Sequence, residues 1–196
     1  MITELSGPLA GVDIDLSGAH MRVLDQGAQV VAWTPAHEEP VLFASALATQ
    51  EPGRHVRAGA PVVFPWFGFG PDGTKSPVHG YARLRPFERQ SIEESDGQVL
   101  VRHLLTPSQT DDIPASLLVT TQMRVDSIEI ALTVTNLADV ALTYEIGLHT
   151  YFTVGDVEQV TVRGLEGRAY LDRVTGQRAE ASNLPLVIDG EIYRAY

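Results

Sequence analysis

Two of the six histidines stand beside residues that could put an imidazole to work. His149 lies in Leu148-His149-Thr150-Tyr151-Phe152, directly after the alternating run from Leu142 to Leu148. An imidazole ordinarily titrates at about pH 6.5, so modest burial or a nearby carboxylate decides whether it gives or takes a proton at neutral pH, which suits general acid–base work. A satisfied histidine in the core or at a sheet edge would look the same. His79 begins His79-Gly80-Tyr81-Ala82-Arg83-Leu84-Arg85, where the glycine lets another group come close. On a strand, Arg83 and Arg85 would share one face. Their guanidinium forks match the oxygens of a phosphate or carboxylate, and Arg57 upstream could join them. Equally, both arginines could be solvated counter-charges in an acidic chain.

Composition narrows the chemistry. Lys+Arg number 14 against 25 Asp+Glu, a formal charge of 14 − 25 = −11. Such a surface repels nucleic acid and anionic membranes, and neither is an expected partner. There is no Cys, which removes disulfides, thiolate metal sites and cysteine nucleophiles. His20, His37, His55 and His103 lack metal-ligand spacing, and no metal is expected. Phosphate-binding loops, dinucleotide fingerprints, zinc-protease pairs and nucleophile elbows are all missing. The first twelve residues carry Glu4 and no basic segment before an apolar core, so they do not read as a signal peptide, and no run reaches membrane-spanning length. A cytoplasmic location is the expectation.

The elements that must position these side chains read as strands. Ile128, Ile130, Leu132 and Val134 alternate with Glu129, Ala131, Thr133 and Thr135, giving one buried and one wet face. Similar runs span 12–16, 21–24, 29–33, 41–43, 99–105, 117–125, 142–148 and 159–162. Turn residues fall between them at Asp96-Gly97, Asp126-Ser127, 137–139 and Gly155-Asp156. With no sustained helical period, repeat or linker, the chain reads as all-β, a single sandwich of antiparallel sheets over residues 1–196. From Arg57 through Gly68 and on to Gly80 it reads instead as a structured loop, rich in glycine, proline and aromatics. Long ordered loops of this kind commonly carry function, although an aromatic plug sealing one end of the sandwich is the plainer alternative.

Three segments together, Arg57-Ala-Gly-Ala-Pro-Val-Val-Phe-Pro-Trp-Phe-Gly68, His79-Gly-Tyr-Ala-Arg83 and Leu148-His-Thr-Tyr-Phe-Thr-Val-Gly-Asp156, resemble the glucose-6-phosphate 1-epimerase branch of the aldose-1-epimerase family. Supporting matches at Gly27 to Trp33, Pro40 to Phe43, Val134 to Asn136, and Gly164-Leu165 leading to Tyr170 to Val174 extend the resemblance over nearly the whole chain. It implies a large β-sandwich of the galactose-mutarotase type, no cofactor, and interconversion of the α and β anomers of a hexose 6-phosphate by ring opening and closure. By the same resemblance His149 is the catalytic acid, Arg57 and Arg83 contact the sugar phosphate, His79 lies beside them, and Trp66 offers an apolar wall to the sugar ring.

One departure bears on activity. The family's general base is a Glu well downstream of the histidine, in a C-terminal segment with further strands, and the chain ends at Tyr196. The resemblance therefore implies a sandwich incomplete at its C-terminus, whether as a fragment, as one of two chains, or as a natural remnant. The final stretch from Gly190 to Tyr196 has Tyr193 where the family has a substrate-contacting Asp, with Glu191 nearby. A sugar-phosphate binding protein without turnover, or an inactive remnant, is the alternative to an isomerase.

Overall fold

Alternation at period two dictates where the apolar side chains must go, and the computed structural model, which describes residues 1–196, gives them two sheets to face. The first is antiparallel in the order β1 (Ile2–Glu4), β2 (Gly11–Leu16), β3 (Ala19–Leu24), β4 (Gln29–Thr34). Ser17 and Gly18, with φ of 47° and 91°, form the two-residue connection of the β2–β3 hairpin. A short strand β5 (Val62–Val63) follows a long connection. The second sheet is β6 (Glu88–Ser95), β7 (Gln98–Leu105), β8 (Ala115–Met123), β9 (Ile128–Asn136), again antiparallel in chain order. Its first turn is the expected Asp96-Gly97, with φ of 50° and 71°.

The two sheets bury their inner faces against each other. At one end Val12, Ile14, Met21, Val23 and Trp33 pack with Val99, Val101 and Met123; at the other Phe64, Trp66, Tyr81 and Phe87 pack with Leu105, Leu117 and Val119. This is the antiparallel sandwich that the alternation implied. Strand β9 behaves as read, its Ile128, Ile130, Leu132 and Val134 partly buried and the residues between them exposed.

Two expected strands of the region before residue 154 are much reduced. Of 142–148 only β10 (Gly147–Leu148) is a strand, paired with β5. Its neighbour is Pro61-Val62-Val63-Phe64-Pro65, and the two prolines have no N–H to return to a ladder. The amides on either side still donate, Glu145 to the Pro65 carbonyl and His149 to the Pro61 carbonyl, both at 2.9 Å. The run 41–43 survives only as a bridge between Leu42 and Phe152. Conversely, β6 lacks the alternation of a strand: its sequence, Glu-Arg-Gln-Ser-Ile-Glu-Glu-Ser, has a single apolar residue, and it forms because β7 supplies partners along its length.

By its internal contacts the chain forms two compact units, Met1–Thr153 and Val154–Tyr196. The second opens with a 3-10 turn at Val157–Gln159, where the Asp156 carboxylate accepts from the Glu158 amide at 3.0 Å. That turn shortens the expected strand at 159–162 to β11 (Thr161–Val162). The remaining strands are β12 (Ala169–Asp172), β13 (Arg178–Glu180), β14 (Leu186–Val187) and β15 (Arg194–Ala195). They form a β11–β14 pair and a β13-β12-β15 sheet. No helix is long and apolar enough to cross a membrane.

Candidate functional site

Three extended segments lie side by side in the first unit and share their backbone hydrogen bonds. Tyr151 N–H donates to the Gly59 carbonyl at 2.7 Å, Gly59 N–H to the Phe43 carbonyl at 2.9 Å, and Ser45 N–H to the Arg57 carbonyl at 3.1 Å. The middle segment can sit this close to β4 only because residue 59 is glycine, with φ of 58° and a position where a Cβ would lie 1.9 Å from the Val30 carbonyl oxygen. Side chains two residues apart then emerge together. Phe43 and Ser45, His55 and Arg57, and His149 and Tyr151 line one open cavity of about 490 Å³, together with Val78 and His79 from the glycine-rich loop and Arg83 just after it.

His79 is the most constrained member of the group. Its backbone is left-handed at φ 65°, an uncommon state for a residue other than glycine. A reciprocal pair of bonds holds it there: its N–H donates to the Gly68 carbonyl at 2.7 Å, and the Gly68 N–H donates to its Nδ1 at 3.0 Å. Because Nδ1 accepts, the neutral ring carries its proton on Nε2, which makes no hydrogen bond within the chain. Burial, reinforced by Arg83, His149 and His55, lowers the pKa of His79 to about 4. At neutral pH it is therefore an uncharged donor. The His79 and His149 rings lie edge to face with centroids 5.5 Å apart, and Tyr151 flanks His149 at 5.1 Å.

The arginines separate. Ala82–Leu84 is a 3-10 turn and not a strand, so Arg83 and Arg85 do not share a face. The turn forms because Gly80, at φ 75°, lets the chain press onto the Phe64 carbonyl, which receives the Ala82 N–H. Arg83 turns into the cavity, donating through one Nη to the Val78 carbonyl at 2.6 Å while its Nε is buried without a partner. Arg85 leaves it, forming a two-pronged pair with Asp111 and stacking on Tyr81 at 4.0 Å. Arg57 is exposed and its Nε donates to His55 Nε2 at 3.3 Å.

Neither Arg57 nor Arg83 has a carboxylate partner, whereas Arg22, Arg54, Arg85, Arg89 and Arg102 all do. No Asp or Glu lines the cavity. Two guanidinium groups and three imidazoles facing a space without an acid form a site with donors to spare and too few acceptors, the electrostatic condition for holding an anion. No group of three or more His, Cys, Asp or Glu side chains is arranged to hold a metal.

Of the residues singled out from the sequence, His149, His79, Arg57 and Arg83 meet in this cavity, and Trp66 does not line it. Trp66 is buried in the core, its Nε1 donating to the Pro77 carbonyl at 2.8 Å and its ring edge-on to Tyr81 at 5.8 Å. It braces the loop that carries His79. Apolar walls come instead from Phe43 and Tyr151, which the sequence did not single out. His55, set aside for lack of metal spacing, also belongs. The signal that would have found His55 and Tyr151 is the two-residue step, which on an extended segment puts each beside a residue already chosen. Glu191 and Tyr193 belong to the second unit, where the Tyr193 carbonyl accepts from the Arg173 amide at 2.7 Å.

The chain resembles known proteins throughout. It is 36% identical over 153 residues to the Escherichia coli K12 protein named "Putative glucose-6-phosphate 1-epimerase", a match covering 76% of this chain and 50% of that protein. A protein of the same name from the plant Cenchrus ciliaris is 28% identical over 189 residues, covering 87% and 55%. The chain thus spans about half the length of these relatives. In three dimensions it matches the crystal structure of "a putative mutarotase" from Salmonella typhimurium at a TM-score of 0.87 and 25% identity, covering 98% of this chain and 65% of that one. A galactose mutarotase-like protein from Clostridium acetobutylicum, 13% identical at a TM-score of 0.68, shares the fold. Since the model of the aldose 1-epimerase family also matches residues 13–190, the chain belongs to that family.

Proposed function

We propose that this protein interconverts the α and β anomers of a hexose 6-phosphate, glucose 6-phosphate first among them. The observation that carries the reading is the company of His149: in a chain of 25 acidic and 14 basic residues, its cavity holds two arginines that no carboxylate neutralises. The phosphate ester sits between Arg57 and Arg83, where each charge-assisted hydrogen bond contributes about 1.5–3 kcal/mol. That fixes the remote end of the sugar, so the ring lies across Phe43 and Tyr151 with C1 and the ring oxygen toward His149. The uncharged Nε2–H of His79 donates to a sugar oxygen.

Ring opening needs two proton transfers. His149 delivers a proton to the ring oxygen as the bond from C1 breaks, and a base removes the proton of the C1 hydroxyl, leaving an open-chain aldehyde. Rotation about C1–C2 and reversal of both transfers closes the ring on the other face. The base has to come from outside the cavity lining, which contains no carboxylate.

Exchange between the anomer signals of glucose 6-phosphate in proton NMR tests this. The expected result is exchange faster than the spontaneous rate, reduced about a hundredfold or more in His149→Ala. No acceleration, or full acceleration by the variant, refutes the assignment. The cationic lining of the cavity also fits a second reading, a sugar-phosphate binding protein without turnover, for which calorimetry would show saturable binding of glucose 6-phosphate while NMR shows no added exchange.

A further inference from the structure

His55 has no part in the ring chemistry, yet its place is peculiar. It lines the cavity beside Arg57 and Arg83 and, together with Arg57, also a second space of about 410 Å³ that Leu47, Thr49, Gly53, Arg54 and Leu84 bound, so the pair stands where the anion end opens outward. Its Nε2 accepts a hydrogen bond from Arg57 Nε, which puts the ring proton on Nδ1 and marks the imidazole as neutral. A neutral histidine thus occupies one donor of an arginine that has no carboxylate of its own.

We propose that His55 is the third cationic arm of the anion site, neutral while the site is empty and protonated when a tetrahedral dianion sits between Arg57 and Arg83. The inference rests on the placement of the phosphate proposed above.

The argument is one of local field. Arg57, Arg83, His79, His149 and Tyr151 surround the cavity side of His55, and none is acidic. On the other side Arg54 is already paired with Glu51 at 3.0 Å. The partial loss of water on its cavity side, followed by the charges of Arg83 and Arg57, lowers the pKa of His55. A dianion between the two guanidinium groups offsets their two charges and, in contact with the ring, stabilises the imidazolium. Protonation at Nε2 also abolishes the acceptor that held Arg57. The freed Nε–H and the new Nε2–H then both point to oxygens of the anion, so a single proton turns a contact between protein groups into two contacts with the ligand.

Sulfate is the cleanest probe, because its own charge does not change between pH 6 and 9. Calorimetric titration of the whole chain with sulfate and with glucose 6-phosphate, in two buffers of different ionisation enthalpy at pH 7.5, counts the protons exchanged. Wild type is expected to take up protons on binding sulfate, and His55→Asn to take up none. Likewise the advantage of wild type over His55→Asn in Kd should grow as pH falls from 8.5 to 6.5, by up to about tenfold per unit. Equal proton uptake by the two proteins, or a Kd ratio that does not vary with pH, overturns the role of His55 while leaving the phosphate placement intact. Failure of the folded wild type to bind either anion, or equal affinity for glucose and glucose 6-phosphate, overturns that placement and the inference with it. Because His55 is exposed, the variant is expected to fold, which circular dichroism checks.

Discussion

Replacing Gly80 by alanine puts one methyl group where the fold has no room for it. The added Cβ would lie 2.0 Å from the Phe64 carbonyl oxygen, 2.3 Å from its carbon and 2.7 Å from the Pro65 nitrogen. These are backbone atoms, so no side chain can swing aside. Three effects follow. The left-handed conformation at φ 75° costs about 1–2 kcal/mol for a residue with a Cβ. Moving the loop away breaks the 3.2 Å hydrogen bond from Ala82 N–H to the Phe64 carbonyl, about 1 kcal/mol. Displacing Phe64, which is wholly buried, disturbs packing by about 1–3 kcal/mol. The expected loss is about 3–6 kcal/mol, a large share of the 5–15 kcal/mol that holds an ordinary domain. Gly73→Ala is the matched control: φ is again 75°, but nothing lies within 4 Å of the added Cβ, so only the backbone effect remains. Urea unfolding of both variants against wild type measures the difference. If Gly80→Ala falls within about 1 kcal/mol of Gly73→Ala, the close approach of the loop to Phe64 is not what holds His79 and Arg83 in place.

His79 titrates at about 4 when folded and near 6.5 when not, so the unfolded chain binds a proton that the folded chain refuses, and stability falls as pH is lowered between those values. His79→Asn keeps an acceptor for the Gly68 amide and tolerates the left-handed backbone; its unfolding free energy from urea titration should fall less than that of wild type between pH 7.5 and 4.5, by about 1–3 kcal/mol, and equal losses would refute the assignment. Arg83→Met is expected to weaken glucose 6-phosphate binding by about 1.5–3 kcal/mol, roughly ten- to a hundredfold in Kd by calorimetry, with little change for glucose. Arg85→Met should leave that affinity alone and lower stability instead, because it strands the Asp111 carboxylate, whose side chain is only 2% exposed. An equal effect of the two arginine variants on affinity would remove the distinction between them.

The strands that could be read directly are those that form their own hairpins. β7, β8 and β9 carry regular alternation, and Asp96-Gly97 supplies a turn whose conformation those residues favour, so local sequence and tertiary partner agree. Reading failed where the partner decides. Residues 142–146 alternate like a strand, but their neighbour carries two prolines and cannot return the ladder; β6 does not alternate, yet β7 makes it a strand. The pair Arg83 and Arg85 failed for a third reason. Two residues apart means one face only on extended chain, and Gly80 curls this stretch into a 3-10 turn that sends the guanidinium groups to different places.

By itself, then, the sequence determined the all-β class, the phase of the long strands, and through its motifs the family and the side chains with the right chemistry. It could do so because those properties depend on residue type and on neighbours a few positions away. Only the tertiary structure decided which of those side chains meet. His149, Arg57, His79 and Arg83 are brought to one cavity, with His55 and Tyr151 added and Trp66 and Arg85 turned elsewhere, by backbone bonds between segments as distant as residues 43, 59 and 151. A side chain's surroundings are set by whichever remote segment accepts its backbone hydrogen bonds, and no local pattern names that segment.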